Sequence, residues 1–231
     1  MKTKIEKFDI PENVSRVTIA LKNAGFEAFL VGGCVRDLIM GKIPKDWDIT
    51  TNAKPEQIIS LFQKTLYENN FGTVAVIYED EQDDVTHVTN SESGEQNNKN
   101  CRIIEVTPYR LDANYSDHRR PDGVVFSDNL DDDLKRRDFT INAMAYDTDK
   151  EEVVDPFFGL ADLAKGVIKC VGIPNERLNE DGLRILRAIR FHVELKFVID
   201  EETEKAILDN SHIIQNISKE RIRGEFIKII M

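Results

Sequence analysis

The chain has 231 residues, of which 41% are hydrophobic and 32% are charged, and its formal net charge at pH 7 is −11. This composition is typical of a folded domain with a core and argues against an intrinsically disordered chain. No apolar run approaches the ~20 residues that span a bilayer, and the charged N-terminus lacks the apolar segment of a signal peptide. We therefore expect a cytoplasmic protein that does not bind a membrane, and any nucleic-acid surface would be a local patch or lie partly outside this sequence.

The first elements in chain order surround a pair of glycines. Apolar residues recur at helical spacing over residues 14–24, and residues 26–31 are predicted to form the first strand. This strand leads into Gly32 and Gly33, and then into a helical turn that carries Arg36. Because glycine has no Cβ, backbone N–H groups at such a pair can approach a phosphate closely.

The next predicted strand carries two carboxylates, Asp46 and Asp48. Side chains alternate along a strand, so these two would share one face while Trp47 points to the other. Carboxylates that face a phosphate-binding turn predict a divalent metal site for a nucleotide. An Asp-x-Asp pair is weak evidence by itself, since metal-dependent sugar transferases also use one.

The glycine pair and the aspartates, at this spacing and in this order, resemble the signature of the DNA polymerase beta-like nucleotidyltransferase superfamily. Residues 31–38 and 45–50 are similar in particular to the class II bacterial CCA-adding enzymes, which are tRNA nucleotidyltransferases, and to the related poly(A) polymerases. The resemblance implies an α/β (α+β) catalytic head over residues 1–147, a small mixed sheet with flanking helices. An all-α neck would follow over residues 148–231, without the body and tail that clasp tRNA in relatives.

The middle of the chain contains further strands and a polar segment. Pro55 is predicted to open a helix that ends near residue 62, and residues 72–78 are predicted to form a buried strand. Residues 79–100 are acidic and polar, which predicts an exposed loop that looks like an insertion relative to the family. The polar stretch around Arg119 and Arg120 resembles the flexible loop of CCA-adding and A-adding enzymes.

The strand predicted over residues 102–108 places Glu105 among apolar neighbours. A charged residue in such a setting is costly unless it is paired or bound to a metal, so Glu105 is predicted as a third carboxylate beside Asp46 and Asp48. The resemblance supports this role, since the family carries a glutamate here. Pro108 departs from the family pattern, and because it lacks an N–H it puts the local strand pairing in doubt.

A second motif contains Arg137, Asp138 and Asn142, whose guanidinium, carboxylate and amide groups come immediately before an apolar run. Guanidinium groups suit triphosphate oxygens, while a carboxylate and an amide can hold ribose hydroxyls. The resemblance implies that Arg137 and Asp138 contact the sugar and phosphates, with Asn142 supporting them.

From residue 159 onward the chain is predicted to be helical. One helix would carry an apolar stripe, while its charged residues gather on another face. The stripe comprises Leu183, Leu186, Ile189 and Val193, and the charged residues are Glu180, Asp181, Arg184 and Arg187. A plain i, i+3 ion pair between Asp181 and Arg184 is the simplest interpretation. The resemblance implies instead that Asp181 and Arg184 select C or A by their base edges, without a nucleic-acid template.

Together, the motifs and the resemblance they carry imply an enzyme that would add C and A from CTP and ATP to the 3′ end of tRNA, with Mg²⁺ held by Asp46, Asp48 and Glu105. The triphosphate and sugar would be held by a larger set, namely Gly32, Gly33, Arg36, Arg137, Asp138, Asn142 and Arg187. The alternatives are an A-adding tRNA enzyme, a poly(A) polymerase, and a fragment that binds nucleotide or RNA but catalyses weakly.

Overall fold

The computed structural model of the chain describes residues 1–5, 7–67, 72–79, 101–112 and 124–231. Within these residues, eight strands form one sheet and four further strands form two separate pairs. The sheet strands are β1 (Lys2–Lys4), β2 (Ala28–Val31), β3 (Trp47–Thr51), β4 (Thr65–Tyr67), β5 (Val74–Glu79), β6 (Cys101–Pro108), β9 (Ala145–Asp147) and β10 (Glu152–Val154). The paired strands are β7 (Arg110–Asp112) with β8 (Val124–Phe126), and β11 (Val167–Ile168) with β12 (Val198–Ile199).

The strand order across the large sheet is β1, β10, β9, β2, β3, β6, β5 and β4. Strands β3 and β6 run parallel, whereas the other neighbouring strands are antiparallel. This arrangement confirms the predicted mixed sheet. The parallel pair matters most for the site, because its register sets Asp48 directly beside Glu105.

Helices pack on this sheet and make up most of the chain after it. They are α1 (Glu12–Asn23), α2 (Gly33–Ile39), α3 (Pro55–Leu61), α4 (Leu130–Lys135), α5 (Gly159–Lys165), α6 (Pro174–Glu180), α7 (Leu183–Leu195), α8 (Glu201–Asp209) and α9 (Lys219–Ile230). Two 3₁₀ helices span Thr140–Asn142 and Ser211–Asn216. The predicted helices after residue 14 and from Pro55 are confirmed by α1 and α3. No helix within the described residues is long and apolar enough to cross a membrane.

The core lies between the central strands and the helices. Leu30, Ile49 and Ile104 come from β2, β3 and β6, and each is at most 1% exposed. Val17 and Leu21 of α1 pack in the same cluster, as the helical spacing of the sequence predicts. Burial of each such side chain contributes about 1.5–3 kcal/mol to stability. This packing fixes the strand ends that carry Gly32 and Asp48.

Three details differ from the sequence-based expectations. The chain after residue 159 is not entirely helical, because β11 and β12 pair in parallel. Pro108 does not interrupt pairing, since it lies opposite Thr51 at the last position of β6 and the next residue, Tyr109, donates its N–H to the Thr51 carbonyl oxygen. The predicted boundary at residues 147 and 148 falls between β9 and β10, which pair in the same sheet. The division into head and neck stays a prediction.

Two glycines provide a test of the packing of this fold. A Cβ on Gly159 would lie 2.2 Å from the backbone oxygen of Thr140, whereas a Cβ on Gly224 would meet nothing within 4 Å. We expect Gly159→Ala to lower the free energy of unfolding by about 1–3 kcal/mol through overpacking. Gly224→Ala, in the exposed middle of α9, should raise it by about 0.5–1 kcal/mol. Urea denaturation measures both changes in the free energy of unfolding, and changes of the same sign in the two variants would contradict this packing.

Candidate functional site

The glycine turn, an aspartate and an arginine meet at the end of β2. Gly32 has a φ of 79°, a left-handed conformation that favours glycine, and α2 begins at the next residue. A Cβ on Gly32 would lie 3.0 Å from Nη1 of Arg137 and 3.7 Å from Oδ2 of Asp48. A side chain at this position would therefore be strained and would push the Arg137 guanidinium away by a few tenths of an ångström. Asp48 and Arg137 belong to different sequence motifs and are 89 residues apart, yet both lie against this turn.

Asp48 lies on β3 and is half-buried, while Asp46 is exposed and precedes the strand. Burial raises the pKa of Asp48, the Arg137 charge opposes this rise, and the Asp46 charge adds to it. The prediction that both aspartates lie on one strand is wrong, because β3 begins at Trp47. The two carboxylates nevertheless repel each other, so a cation between them would be favourable.

Glu105 lies in register with Asp48 on the parallel strand β6, and adjacent strands are ~4.8 Å apart. The prediction that Glu105 is enclosed by apolar neighbours is wrong, because Ile104 and Val106 point into the core while Glu105 is exposed. The alternation of strand faces, rather than burial, explains the position of this carboxylate. Among the described residues, no three His, Cys, Asp or Glu side chains are close enough to hold a metal ion. The metal role of Asp46, Asp48 and Glu105 stays a prediction.

Sequence reasoning missed the carboxylate that anchors Arg137. The side chain of Asp133 is fully buried. It accepts from Nε and Nη2 of Arg136 at 2.9 and 2.6 Å, and from Nη2 of Arg137 at 2.9 Å. Burial works to raise the pKa of Asp133, but the two guanidinium charges outweigh it and the pKa is lowered. The i, i+3 and i, i+4 spacing of Asp133 to the two arginines could have indicated this pairing.

A continuous set of hydrogen bonds links Arg36 of α2 to Arg187 of α7. Arg36 donates through Nη1 to Oδ1 of Asn142 at 2.9 Å, and Asn142 donates to Oδ1 of Asp138 at 3.2 Å. Arg187 donates to Oδ2 of Asp138 through Nε at 2.7 Å, and its Nη2 lies 2.6 Å from the same oxygen. The structure thus brings together four residues that the sequence assigned to nucleotide binding.

The Asp138 carboxylate is 7% exposed and carries a negative charge in this network. Burial works to raise its pKa, but the Arg187 charge and the hydrogen bonds from Arg187 and Asn142 lower it to about 2. In turn, the Asp138 charge raises the pKa of Arg187. Asp138 is therefore ionised at neutral pH and available as an acceptor of hydrogen bonds.

The structure does not bring Asp181 and Arg184 together as a pair on one helix. Helix α6 ends at Glu180, and α7 begins at Leu183. Arg184 pairs with Glu180 and donates to the carbonyl oxygen of Arg136 at 3.1 Å. Asp181 instead accepts from Nη1 and Nη2 of Arg221 on α9, at 3.2 and 2.8 Å. The predicted i, i+3 ion pair is wrong, because the backbone turns between the two residues.

The apolar stripe predicted for α7 is also wrong in part. Ile189 and Val193 are exposed, at 37% and 47%. The buried positions of the helix are Leu183, Arg184, Ile185, Ala188 and Phe191. The charged residues therefore do not lie on a solvent face, and Arg184 is enclosed at 8% exposure. Arg119 and Arg120, and residues 80–100 of the predicted loop, lie outside the described residues.

Comparison with known proteins agrees with this architecture. The chain matches the family described as "Poly A polymerase head domain" over residues 28–169, and the one described as "Probable RNA and SrmB- binding site of polymerase A" over residues 196–231. The CCA-adding enzyme of Lactobacillus helveticus (strain DPC 4571) is 44% identical over 228 residues, which are 98% of this chain and 52% of the relative.

Two solved structures resemble the fold. The Bacillus stearothermophilus CCA-adding enzyme in complex with CTP is 35% identical, with a TM-score of 0.76 over 94% of this chain and 47% of that chain. The Thermotoga maritima CCA-adding enzyme complexed with tRNA is 24% identical and shares the fold, with a TM-score of 0.75 over 100% of this chain and 51% of that chain.

The chain belongs to the poly(A) polymerase head-domain family, to which the resemblance of its sequence motifs pointed. The fold class predicted from the sequence, a nucleotidyltransferase head with a mixed sheet followed by helices, is confirmed. Nucleotidyltransferases of this family generally use a divalent metal. The chain spans about half the length of the curated relatives it matches.

Proposed function

We propose that this chain is the catalytic part of a template-independent tRNA nucleotidyltransferase that adds C and A from CTP and ATP to the tRNA 3′ end. The observation that carries the proposal is the cluster of Asp48 and Arg137 against the Gly32 turn in a chain of this family. The curated relatives at 43–44% identity are named CCA-adding enzymes, and one similar structure is in complex with CTP. The reaction joins the RNA 3′-hydroxyl to the nucleotide α-phosphate and releases pyrophosphate.

Asp46, Asp48 and Glu105 would hold two Mg²⁺ ions. The mutual repulsion of Asp46 and Asp48 and the register of Asp48 with Glu105 support this choice, since Mg²⁺ prefers carboxylate oxygens. When bound, Mg²⁺ activates the attacking hydroxyl and stabilises the leaving phosphate oxygens. Arg137 lies against the same turn, near Asp48, and would neutralise charge on the triphosphate.

The remaining residues would hold the substrate in place. Gly32 and Gly33 leave space for phosphate beside the turn, and Arg36 follows them on α2 with a guanidinium that is already fixed by Asn142. Asp138 is ionised and fixed by Arg187, so it can accept a hydrogen bond from a ribose hydroxyl. Because these groups are held before binding, little conformational entropy is lost when the nucleotide arrives.

Asp181 and Arg184 would select the base. A carboxylate accepts from the exocyclic amine that C and A share, while a guanidinium donates to ring or carbonyl acceptors. Their place at the turn between α6 and α7, with Arg184 against the Arg136 carbonyl and close to Arg137, supports this role. Since both side chains already have protein partners, base binding would exchange or share those hydrogen bonds.

The test uses labelled nucleotides, Mg²⁺ and tRNA transcripts that end before CCA or after CC. Successive addition of C, C and A by this chain, or by a longer version of it, would support the proposal. Addition of A alone to the CC-ended transcript would make it an A-adding enzyme, and A addition to any RNA end would make it a poly(A) polymerase. Inactivity of both versions would contradict it and favour a binding fragment. The cytoplasmic location stays a prediction.

A further inference from the structure

The ring of Phe191 lies under three guanidinium groups at the junction of α2 and α7. The ring centroid is 5.1 Å from Cζ of Arg36, 5.5 Å from Cζ of Arg187 and 4.3 Å from Cζ of Arg190. Each distance is within the ~6 Å at which a guanidinium is attracted to the face of an aromatic ring. Phe191 is 3% exposed, so this attraction acts in a largely desolvated position.

Each of these arginines also has a carboxylate partner of its own. Arg36 pairs with Asp37 at 2.7 Å, Arg187 with Asp138 at 2.6 Å, and Arg190 with Glu225 at 2.7 Å. Every carboxylate fixes one guanidinium, but the Phe191 ring contacts all three. The ring therefore helps to set their positions relative to one another, alongside the hydrogen bonds that join Arg36 to Arg187, and it offsets their mutual repulsion.

Two of the three arginines are in the proposed nucleotide site. Arg36 follows the glycine pair, and Arg187 holds the ionised Asp138. The ring comes from α7, whereas Arg36 comes from α2 beside the sheet. Phe191 thus joins the phosphate side of the site to the helix that carries Arg184 and Arg187.

We propose that Phe191 is a positioning residue for nucleoside triphosphate binding, which acts by holding the Arg36 and Arg187 guanidinium groups in their binding positions. This inference rests on the proposed function and extends it to a residue without a polar group. A leucine would fill much of the same space, but it has no electron-rich face to attract the three cations. Without the ring, Arg36 and Arg187 would keep only their polar partners and be held less firmly, so each would lose more freedom on binding a triphosphate.

A neighbouring ring supplies a matched control. Phe139 is fully buried and contacts Phe191 edge-on, with centroids 5.8 Å apart and an interplanar angle of 90°. Phe139→Leu removes an aromatic ring from the same core cluster but leaves the Phe191 face under the arginines. The effect of Phe139→Leu on binding therefore measures the loss of ring packing without the loss of the contact to the arginines. Phe191→Tyr keeps the ring and serves as the conservative variant.

The experiment is calorimetric titration of the wild-type chain and the three variants with CTP and, separately, with inorganic tripolyphosphate in Mg²⁺ buffer. We expect Phe191→Leu to weaken CTP binding about tenfold and tripolyphosphate binding about fivefold. Phe191→Tyr and Phe139→Leu should remain within about twofold of wild type. The effect on CTP should be larger because Arg187 acts through Asp138 on the sugar, which tripolyphosphate lacks.

The outcomes separate this inference from the proposed function. Equal binding by Phe191→Leu and Phe139→Leu, with both folded by circular dichroism, would overturn the role of the ring. If the wild-type chain binds neither CTP nor tripolyphosphate, the proposed function is overturned, and the inference with it. If Phe191→Leu does not fold, Phe191→Met gives the same comparison, because methionine fills irregular core space without an aromatic face.

Discussion

Replacement of Asp48 by asparagine is expected to reduce nucleotide addition by about 1,000-fold at saturating CTP, the scale of a lost electrostatic contact in a transition state. The change removes the half-buried charge that lies next to the Gly32 turn and in register with Glu105. Because burial already disfavours the ionised form of Asp48, asparagine should leave the free energy of unfolding unchanged or slightly higher. Inactivity would then report chemistry rather than unfolding.

The measurement is the single-turnover rate of CTP addition to a tRNA transcript, together with the thermal midpoint of each protein. Asp9→Asn is the control, since Asp9 is an exposed carboxylate near the N-terminus. Its rate should match that of wild type. Asp48→Asn with near wild-type activity would rule out Asp48 as a metal ligand, whereas a large fall in its thermal midpoint would rule out the structural part of the prediction.

The second large effect concerns Asp133, which holds Arg136 and Arg137. Asp133→Ala should lower the free energy of unfolding by about 3–5 kcal/mol at pH 7, because it leaves two guanidinium groups without their buried carboxylate. It should also weaken CTP binding, since Arg137 would no longer be fixed beside Gly32. Asp131→Asn changes an exposed carboxylate of the same helix and should alter stability by less than about 0.5 kcal/mol.

The pH dependence of this effect has a definite sign. The pKa of Asp133 is lower in the folded chain than its ordinary value of 3.8, so the folded state binds fewer protons than the unfolded state in this range. The stabilisation is complete above the unfolded value and is lost as the pH falls through the folded value. Urea denaturation between pH 7 and pH 2 should therefore show the wild-type and Asp133→Ala curves converging towards acid. Parallel curves would contradict the ion pairs at Asp133.

The sequence predicted the candidate site best where the residues of the site lie close together along the chain. The glycine pair, Arg36 and the aspartates at 46 and 48 lie within 17 residues, and backbone geometry alone relates them. Glu105 was chosen because burial was expected there and because the family carries a glutamate at this place, and the expected burial was wrong. These motifs were sufficient to identify the family and the mixed sheet.

The predictions failed where a side chain chooses a distant partner. Asp181 and Arg184 fit one helix by spacing, yet the backbone turns between them and each pairs elsewhere, Asp181 with Arg221 on α9. The spacing of Asp133 to Arg136 and Arg137 is local and could have indicated their pairing, but its full burial depends on how α4 packs. Burial and distant ion-pair partners are properties of packing, so a helical period cannot supply them.

The sequence by itself determined the family, the elements around the glycine pair and the residue types of the site, because these follow from local geometry and short motifs. The tertiary structure alone decided that Arg137 lies against Gly32 and that Phe191 of α7 lies under Arg36 of α2. These contacts join segments more than 100 residues apart, and they form because the hydrophobic core fixes where each strand and helix ends.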